Sequence, residues 1–151
     1  MSKKKHQQGP LIDPASFKLP RTGVESHAHL DGRHFAEDRE AVLARATEAG
    51  VARIGQVFMS SDLWEQGKDY FLPHPELFFL LAGHPTAAVL LTDEEYEKLR
   101  ANIKAEPRIR AVGETGLDCY WKDCPPDIQK KAFARLMHLA AEVKLPLSIH
   151  S

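Results

Sequence analysis

Val24-Glu25-Ser26-His27-Ala28-His29-Leu30-Asp31 is the stretch on which the reading of this chain turns. As a strand it places His27 and His29 on one face, because side chains alternate with period two. Their Cα atoms then lie about 6.6 Å apart, two steps of about 3.3 Å. At that spacing two imidazole nitrogens can reach one metal ion at about 2.0–2.1 Å each. Asp31 follows in the same alternation, just past the strand end. A His-x-His pair alone is equally compatible with a purely structural pair. What gives it meaning is the company of ligating side chains at later strand ends.

Working outward, residues 38–49 read as a helix stopped by Gly50, and residues 51–58 as an apolar strand covered on both faces. Ser60-Ser61-Asp62 caps a second helix carrying Trp64, and Pro73 and Pro75 break the chain before the apolar strand Leu77 to Ala82. Thr92 and Glu95 form a capping-box pattern ahead of Tyr96, Leu99 and Ile103, which recur at helical spacing. Ile109 to Gly113 reads as the fourth strand, ending at Glu114. Pro125-Pro126-Asp127 opens a long helix whose apolar face is Ile128, Ala132, Leu136, Leu139, Ala140 and Val143. Pro146 to Ile149 is the fifth strand.

Strands that alternate with helices and are continuously apolar predict a parallel sheet with crossover helices. No Gly-x-Gly-x-x-Gly follows the first strand, so a dinucleotide-binding fold lacks its main support. The polar groups of interest all fall at C-terminal strand ends, where (β/α) barrels build their sites. A TIM-like barrel is therefore the expected α/β fold. Its tail covers residues 1–22, polar and punctuated by Pro10, Pro14 and Pro20, and the barrel portion covers residues 23–151.

Composition sets the bounds. The 151 residues suit one ordinary domain, with 43% hydrophobic and 27% charged residues and a mean hydropathy of −0.36. A net charge of −1 offers no global basic field for nucleic acid. No apolar run is long enough to span a membrane, and Lys3-Lys4-Lys5 precedes no apolar signal segment. Cys119 and Cys124 are spaced neither as a redox pair nor as a zinc ribbon. Two free thiols in a reducing cytoplasm are the expectation.

Four strand ends carry the chemistry: His27 with His29; Gly83-His84-Pro85; Gly113-Glu114-Thr115-Gly116-Leu117-Asp118; and Ile149-His150. Glu114 leaves an apolar strand into a glycine-flanked turn, and a buried carboxylate there is costly unless it is paired or bound to a metal. No Ser-His-Asp or Cys-His nucleophile set stands out. His138 reads as an ordinary helix residue, His34 and His74 as loop residues. Tyr120 and Trp121 read as loop packing or as a platform for a base.

With these residues in view, the set Ser26-His27-Ala28-His29-Leu30-Asp31, Gly113 to Asp118 and Pro146-Leu147-Ser148-Ile149-His150 resembles the TatD family of metal-dependent deoxyribonucleases, among the amidohydrolase-like barrels. The resemblance runs from about Val24 onward. It implies two divalent ions (Zn, Mg or Mn), with His27 and His29 on one, Glu114 bridging as the catalytic carboxylate, and His150 on the second. It implies that His84 lines the mouth on the substrate side, and that DNA is the substrate. Glu25 stands where the family has Asp, and Ala82-Gly83-His84 shifts the usual glycine by one.

A complete barrel has eight strands and about 250 residues. The family's sixth-strand histidine, its eighth-strand aspartate and an arginine two places past the fifth-strand histidine have no counterpart here. The expectation is that these 151 residues are a fragment or a truncated product covering about the first five strands. Three functions follow: a DNase using two divalent ions; a metal-dependent hydrolase of an amide, lactone or small phosphoester; and a non-catalytic remnant.

Overall fold

The computed structural model describes Ser16 and residues 20–151. The tail expected over residues 1–22 therefore falls largely outside the described residues. Five strands, β1 (Gly23–Ala28), β2 (Val51–Phe58), β3 (Leu77–Leu81), β4 (Ile109–Gly116) and β5 (Leu147–His150), form one sheet in the order β1-β2-β3-β4-β5. Every neighbouring pair is parallel. The crossovers carry α1 (Arg39–Glu48), α2 (Ser61–Phe71), α3 (Asp93–Ala105) and α4 (Pro126–Val143). A parallel sheet with sequential strand order and a helix after each of its first four strands is half of a (β/α) barrel.

Local chemistry sets the helix ends. Gly50, at φ 90°, adopts the left-handed turn that stops α1. Ser60 caps α2 by accepting from the Leu63 N–H at 3.1 Å. Thr92 caps α3 by accepting from the Glu95 N–H at 3.1 Å. The reciprocal half of that expected capping box is not made. The Glu95 carboxylate instead accepts from the Ser61 N–H at 2.7 Å, tying the first turn of α2 to α3.

The main core lies between sheet and helices. Phe58 sits at its centre, edge-on to Trp64 and Phe71 with ring centroids 5.3 and 5.6 Å away. Phe79 closes the cluster at 5.1 Å from Trp64. Leu99, Leu136 and Leu139 complete it from α3 and α4. Val57 and Leu80 alternate with these core residues and so face the other side of the sheet. There they pack with Ala111, Met59 and Phe78 in a second, smaller cluster. That is the face that lines a barrel.

One strand boundary and one helix face differ from expectation. β4 continues through Glu114 to Gly116, because Thr115 and Gly116 pair with Ile149 and His150 of β5. On α4, Ile128 is 37% exposed, whereas its neighbour Gln129 is 1% exposed. The first turn of α4 thus rotates a polar side chain, not the isoleucine, under the preceding loop.

Candidate metal centre

Glu114 is the hub. Its strand is buried, and its side chain emerges at the C-terminal end of the sheet among imidazoles from three other strands. Oε2 lies 3.0 Å from His27 Nε2 and 3.4 Å from His29 Nε2. Oε1 lies 2.6 Å from His150 Nδ1 and 3.8 Å from His84 Nε2. One carboxylate therefore divides its two oxygens between two sets of nitrogen donors. His27, His29 and Glu114 form one compact cluster; His84, Glu114 and His150 form another.

Strand pairing makes this possible. Gly113 and Gly116 let β5 approach β4: a Cβ on Gly113 would meet Ser148 Cβ at 2.6 Å, and one on Gly116 would meet the His150 carbonyl oxygen at 2.1 Å. Gly116 also has φ +148°, a conformation that L side chains rarely adopt. The peptide between Gly113 and Glu114 is cis. β5 then delivers two groups. His150 faces Glu114, and the Ser148 hydroxyl sits 3.2 Å from His27 Nδ1. The Ser148 hydroxyl can accept from an Nδ1–H, and that tautomer is the one that frees the His27 Nε2 lone pair for the site.

The ring of His84 is set differently. Its Nδ1 accepts from the Thr86 backbone N–H at 3.3 Å and lies 2.7 Å from the Thr86 hydroxyl. An accepting Nδ1 puts the proton of the neutral ring on Nε2, the atom that points at His150 and Glu114. Burial lowers the His84 pKa, against the pull of the Glu114 charge. The ring is thus neutral near pH 7 and offers an N–H to the site.

The other titratable groups are held by their neighbours. Burial pushes Glu114 up, but the hydrogen bond from His150 and the charge of His27 outweigh it and hold the carboxyl below its ordinary value. For His150, burial lowers the pKa, while the hydrogen bonds to Glu114 and Asp118 more than offset this and raise it. The backbone N–H of Trp121 does most to hold Asp118 low, with burial opposing and His150 assisting.

The structure thus brings together all of His27, His29, His84, Glu114 and His150. Asp31 lies aside, accepting from Gln56 Nε2 at 3.0 Å. His138 is exposed on α4, and Tyr120 and Trp121 stack edge to face on the surface. Cys119 and Cys124 are unpaired. Sequence reasoning missed three supports. Asp118 is buried and touches His150; Gln129 clasps the Asp118 backbone; and Gln56, fully buried, accepts from the Leu30 N–H at 2.7 Å and fixes the turn after His29. Asp118 had a signal: it is the second acid of the same glycine-flanked turn as Glu114.

Imidazole nitrogens with one shared carboxylate suit divalent transition ions, and the split of the Glu114 oxygens suits a bridging ligand. A parallel half-barrel gathers these donors at its C-terminal strand ends, where (β/α)-barrel proteins build their sites. The chain is a member of the TatD related DNase family, whose profile matches residues 24–151. A Bacillus subtilis relative, YabD, described as an uncharacterized metal-dependent hydrolase, is 32% identical over 127 residues, covering 84% of this chain and 49% of its own. An Erwinia tasmaniensis relative named as a 3'-5' ssDNA/RNA exonuclease TatD is 34% identical over 125 residues, covering 81% and 47%. The solved structure of YjjV, a TatD homologue from Escherichia coli, superposes with a TM-score of 0.78 at 28% identity, covering 85% of this chain and 50% of that one. The chain spans about half the length of the curated relatives it matches. No helix among the described residues is long and apolar enough to cross a membrane.

Proposed function

We propose that this chain is the N-terminal half of a barrel that hydrolyses phosphodiester bonds of DNA with two divalent cations. The observation that carries the proposal is the division of the Glu114 carboxylate, one oxygen toward His27 and His29 and the other toward His150. Paired divalent ions stabilise the attacking and leaving oxygens of a phosphoryl transfer and acidify water, so no protein nucleophile is required. In this reading His27 and His29 hold one ion, Glu114 bridges, and His150 holds the second. His84 turns its Nε2–H into the site, beside His150 and Glu114, where a substrate oxygen can accept from it, because Thr86 occupies its other nitrogen. Residues 23–151 act as one barrel portion preceded by a polar tail.

A second reading, hydrolysis of a small amide, lactone or phosphoester, has its own support. The cleft beside Glu114, about 700 Å³, is walled by Met59, Leu63, Ala87 and Leu90, and among the described residues no Lys or Arg lines it. A long polyanion ordinarily binds through several such cations. A nuclease with this cleft would engage a short stretch at a strand end.

The experiment uses the polypeptide extended to the length of its relatives, end-labelled single-stranded DNA, and Mn²⁺ or Zn²⁺ with and without chelator. Chelator-sensitive cleavage that Glu114→Ala abolishes, with little change in melting temperature, is the expected outcome. Near wild-type cleavage by Glu114→Ala under saturating cation would sink the two-ion assignment. Metal-dependent hydrolysis of small esters with DNA left intact would select the second reading.

A further inference from the structure

Asp118 touches neither His27 nor Glu114, yet it is buried and its carboxylate is held by three hydrogen-bond partners. Its Oδ1 accepts from the Tyr120 and Trp121 backbone N–H groups, each at 2.9 Å. Its own backbone is clasped by Gln129, whose Oε1 accepts from the Asp118 N–H at 2.7 Å and whose Nε2 donates to the Asp118 carbonyl at 2.9 Å. Gln129 also donates to the Cys124 carbonyl at 2.8 Å, so its amide is fully used and the loop from Asp118 to Cys124 is pinned to α4. What remains is Oδ2, and it lies 3.0 Å from His150 Nε2. The opposite ring nitrogen, Nδ1, is 2.6 Å from Glu114 Oε1. The chain Gln129, Asp118, His150, Glu114 runs from a helix buried under the loop to the cation site.

We propose that Asp118 is a positioning residue that fixes which nitrogen of His150 serves the cation. A carboxylate can only accept, so Asp118 holds a proton on Nε2 as Glu114 holds one on Nδ1; only Nδ1 lies on the cation side, so it is the atom that ligates once its proton leaves. A cation entering between Nδ1 and Glu114 displaces the Nδ1 proton to solvent, while the Nε2 proton stays hydrogen-bonded to Asp118. This rests on the two-ion reading above, which it deepens by assigning the ligand atom and the group that selects it.

Asp118→Asn isolates the effect. The Asn carbonyl must still face the Tyr120 and Trp121 N–H groups, so its NH₂ faces His150 Nε2. That nitrogen must then accept, which leaves the ring's single proton on Nδ1, toward Glu114 and in the cation position, where a cation must remove the last proton of the ring. The loop and the packing volume are preserved. Protein labelled with ¹⁵N-histidine is titrated with Zn²⁺ and followed by long-range ¹H–¹⁵N spectra, which distinguish the two ring nitrogens without any activity assay. In the wild type, Zn²⁺ shifts His150 Nδ1 while Nε2 keeps its proton. In Asp118→Asn, His27 and His29 still respond, while half-saturation at His150 rises by about 10- to 100-fold, the usual cost of losing such a partner.

An unchanged response of His150 in Asp118→Asn overturns the proposal and leaves the two-ion reading standing. Wild-type spectra in which His27 and His29 respond but His150 does not overturn the two-ion reading, and this proposal with it. Should Asp118→Asn fail to fold, the wild type alone decides: Zn²⁺ on Nε2 with the proton on Nδ1 overturns the proposal, and the reverse supports it.

Discussion

At Gly116 a single hydrogen atom is what the site tolerates. A Cβ there would sit 2.1 Å from the His150 carbonyl oxygen, and the residue holds φ +148°. Gly116→Ala must therefore both strain its own backbone and push β5 away, carrying His150 from Glu114. Backbone strain of this type costs about 1–3 kcal/mol. The urea midpoint should fall accordingly, and the His150 imidazole resonances should move. An unchanged midpoint would show that β5 accommodates the methyl by sliding. The glycine's neighbours explain what could be read at this scale. His27, His29, Glu114 and His150 announce themselves because an imidazole or carboxylate after an apolar strand is chemically out of place. Gln129 does not. It sits at the start of an apolar helix face where Ile128 fits the periodicity, and only the loop folded above α4 creates its demand. The buried Asp118 N–H, Asp118 carbonyl and Cys124 carbonyl need partners, and an amide satisfies all three. Periodicity carries no information about such a need.

Elements were the most legible level. Three helices begin at their sequence signals, because Ser60, Thr92 and Pro126 act locally, and α1 ends at its signal because Gly50 stops it by its own conformation. β4 was read short, since its last residues are strand only by virtue of pairing with β5, which lies more than thirty positions further along. The packing of α3 on α4 offers a test of surface electrostatics. Glu142 accepts from Arg100 Nε at 2.7 Å and from Lys104 Nζ at 2.6 Å. The hydrogen bonds from Arg100 and then Lys104 hold its carboxyl below the ordinary value. A group with a depressed folded pKa stabilises the fold above its unfolded pKa, and that contribution is lost as pH falls through the folded value. Glu142→Gln should therefore melt slightly lower than the wild type at neutral pH, and the gap should close in acid. The effect is small because all three side chains are partly solvated, and high salt should shrink it. Thermal melts of both proteins between pH 7 and pH 3 check this; a gap that widens in acid would contradict the assignment.

The whole molecule is shaped by what its sheet leaves open. Among the described residues, in the order β1-β2-β3-β4-β5, each outer strand has one neighbour, so each presents a row of unpaired backbone groups. Each outer strand also exposes an apolar side chain, Val24 at 61% and Ile149 at 60%. The barrel-lining cluster of Val57, Leu80 and Ala111 with Met59 and Phe78 faces the side that further strands cover in a complete barrel. At about 25 cal/mol per Å², a few hundred Å² of apolar surface left wet forgoes several kcal/mol. Total stability is commonly about 5–15 kcal/mol, so the loss is comparable with the whole margin. A polypeptide of these 151 residues should therefore associate through its sheet edges or require a complementary half-barrel. Sedimentation velocity across a hundredfold range of concentration, paired with thermal melts, measures this. The expected result is a sedimentation coefficient that climbs with concentration and a broad melt that sharpens when the remaining half-barrel is added. A monomer at every concentration with a sharp cooperative melt would mean that five strands bury enough on their own, and that the second half of the barrel completes the chemistry rather than the fold.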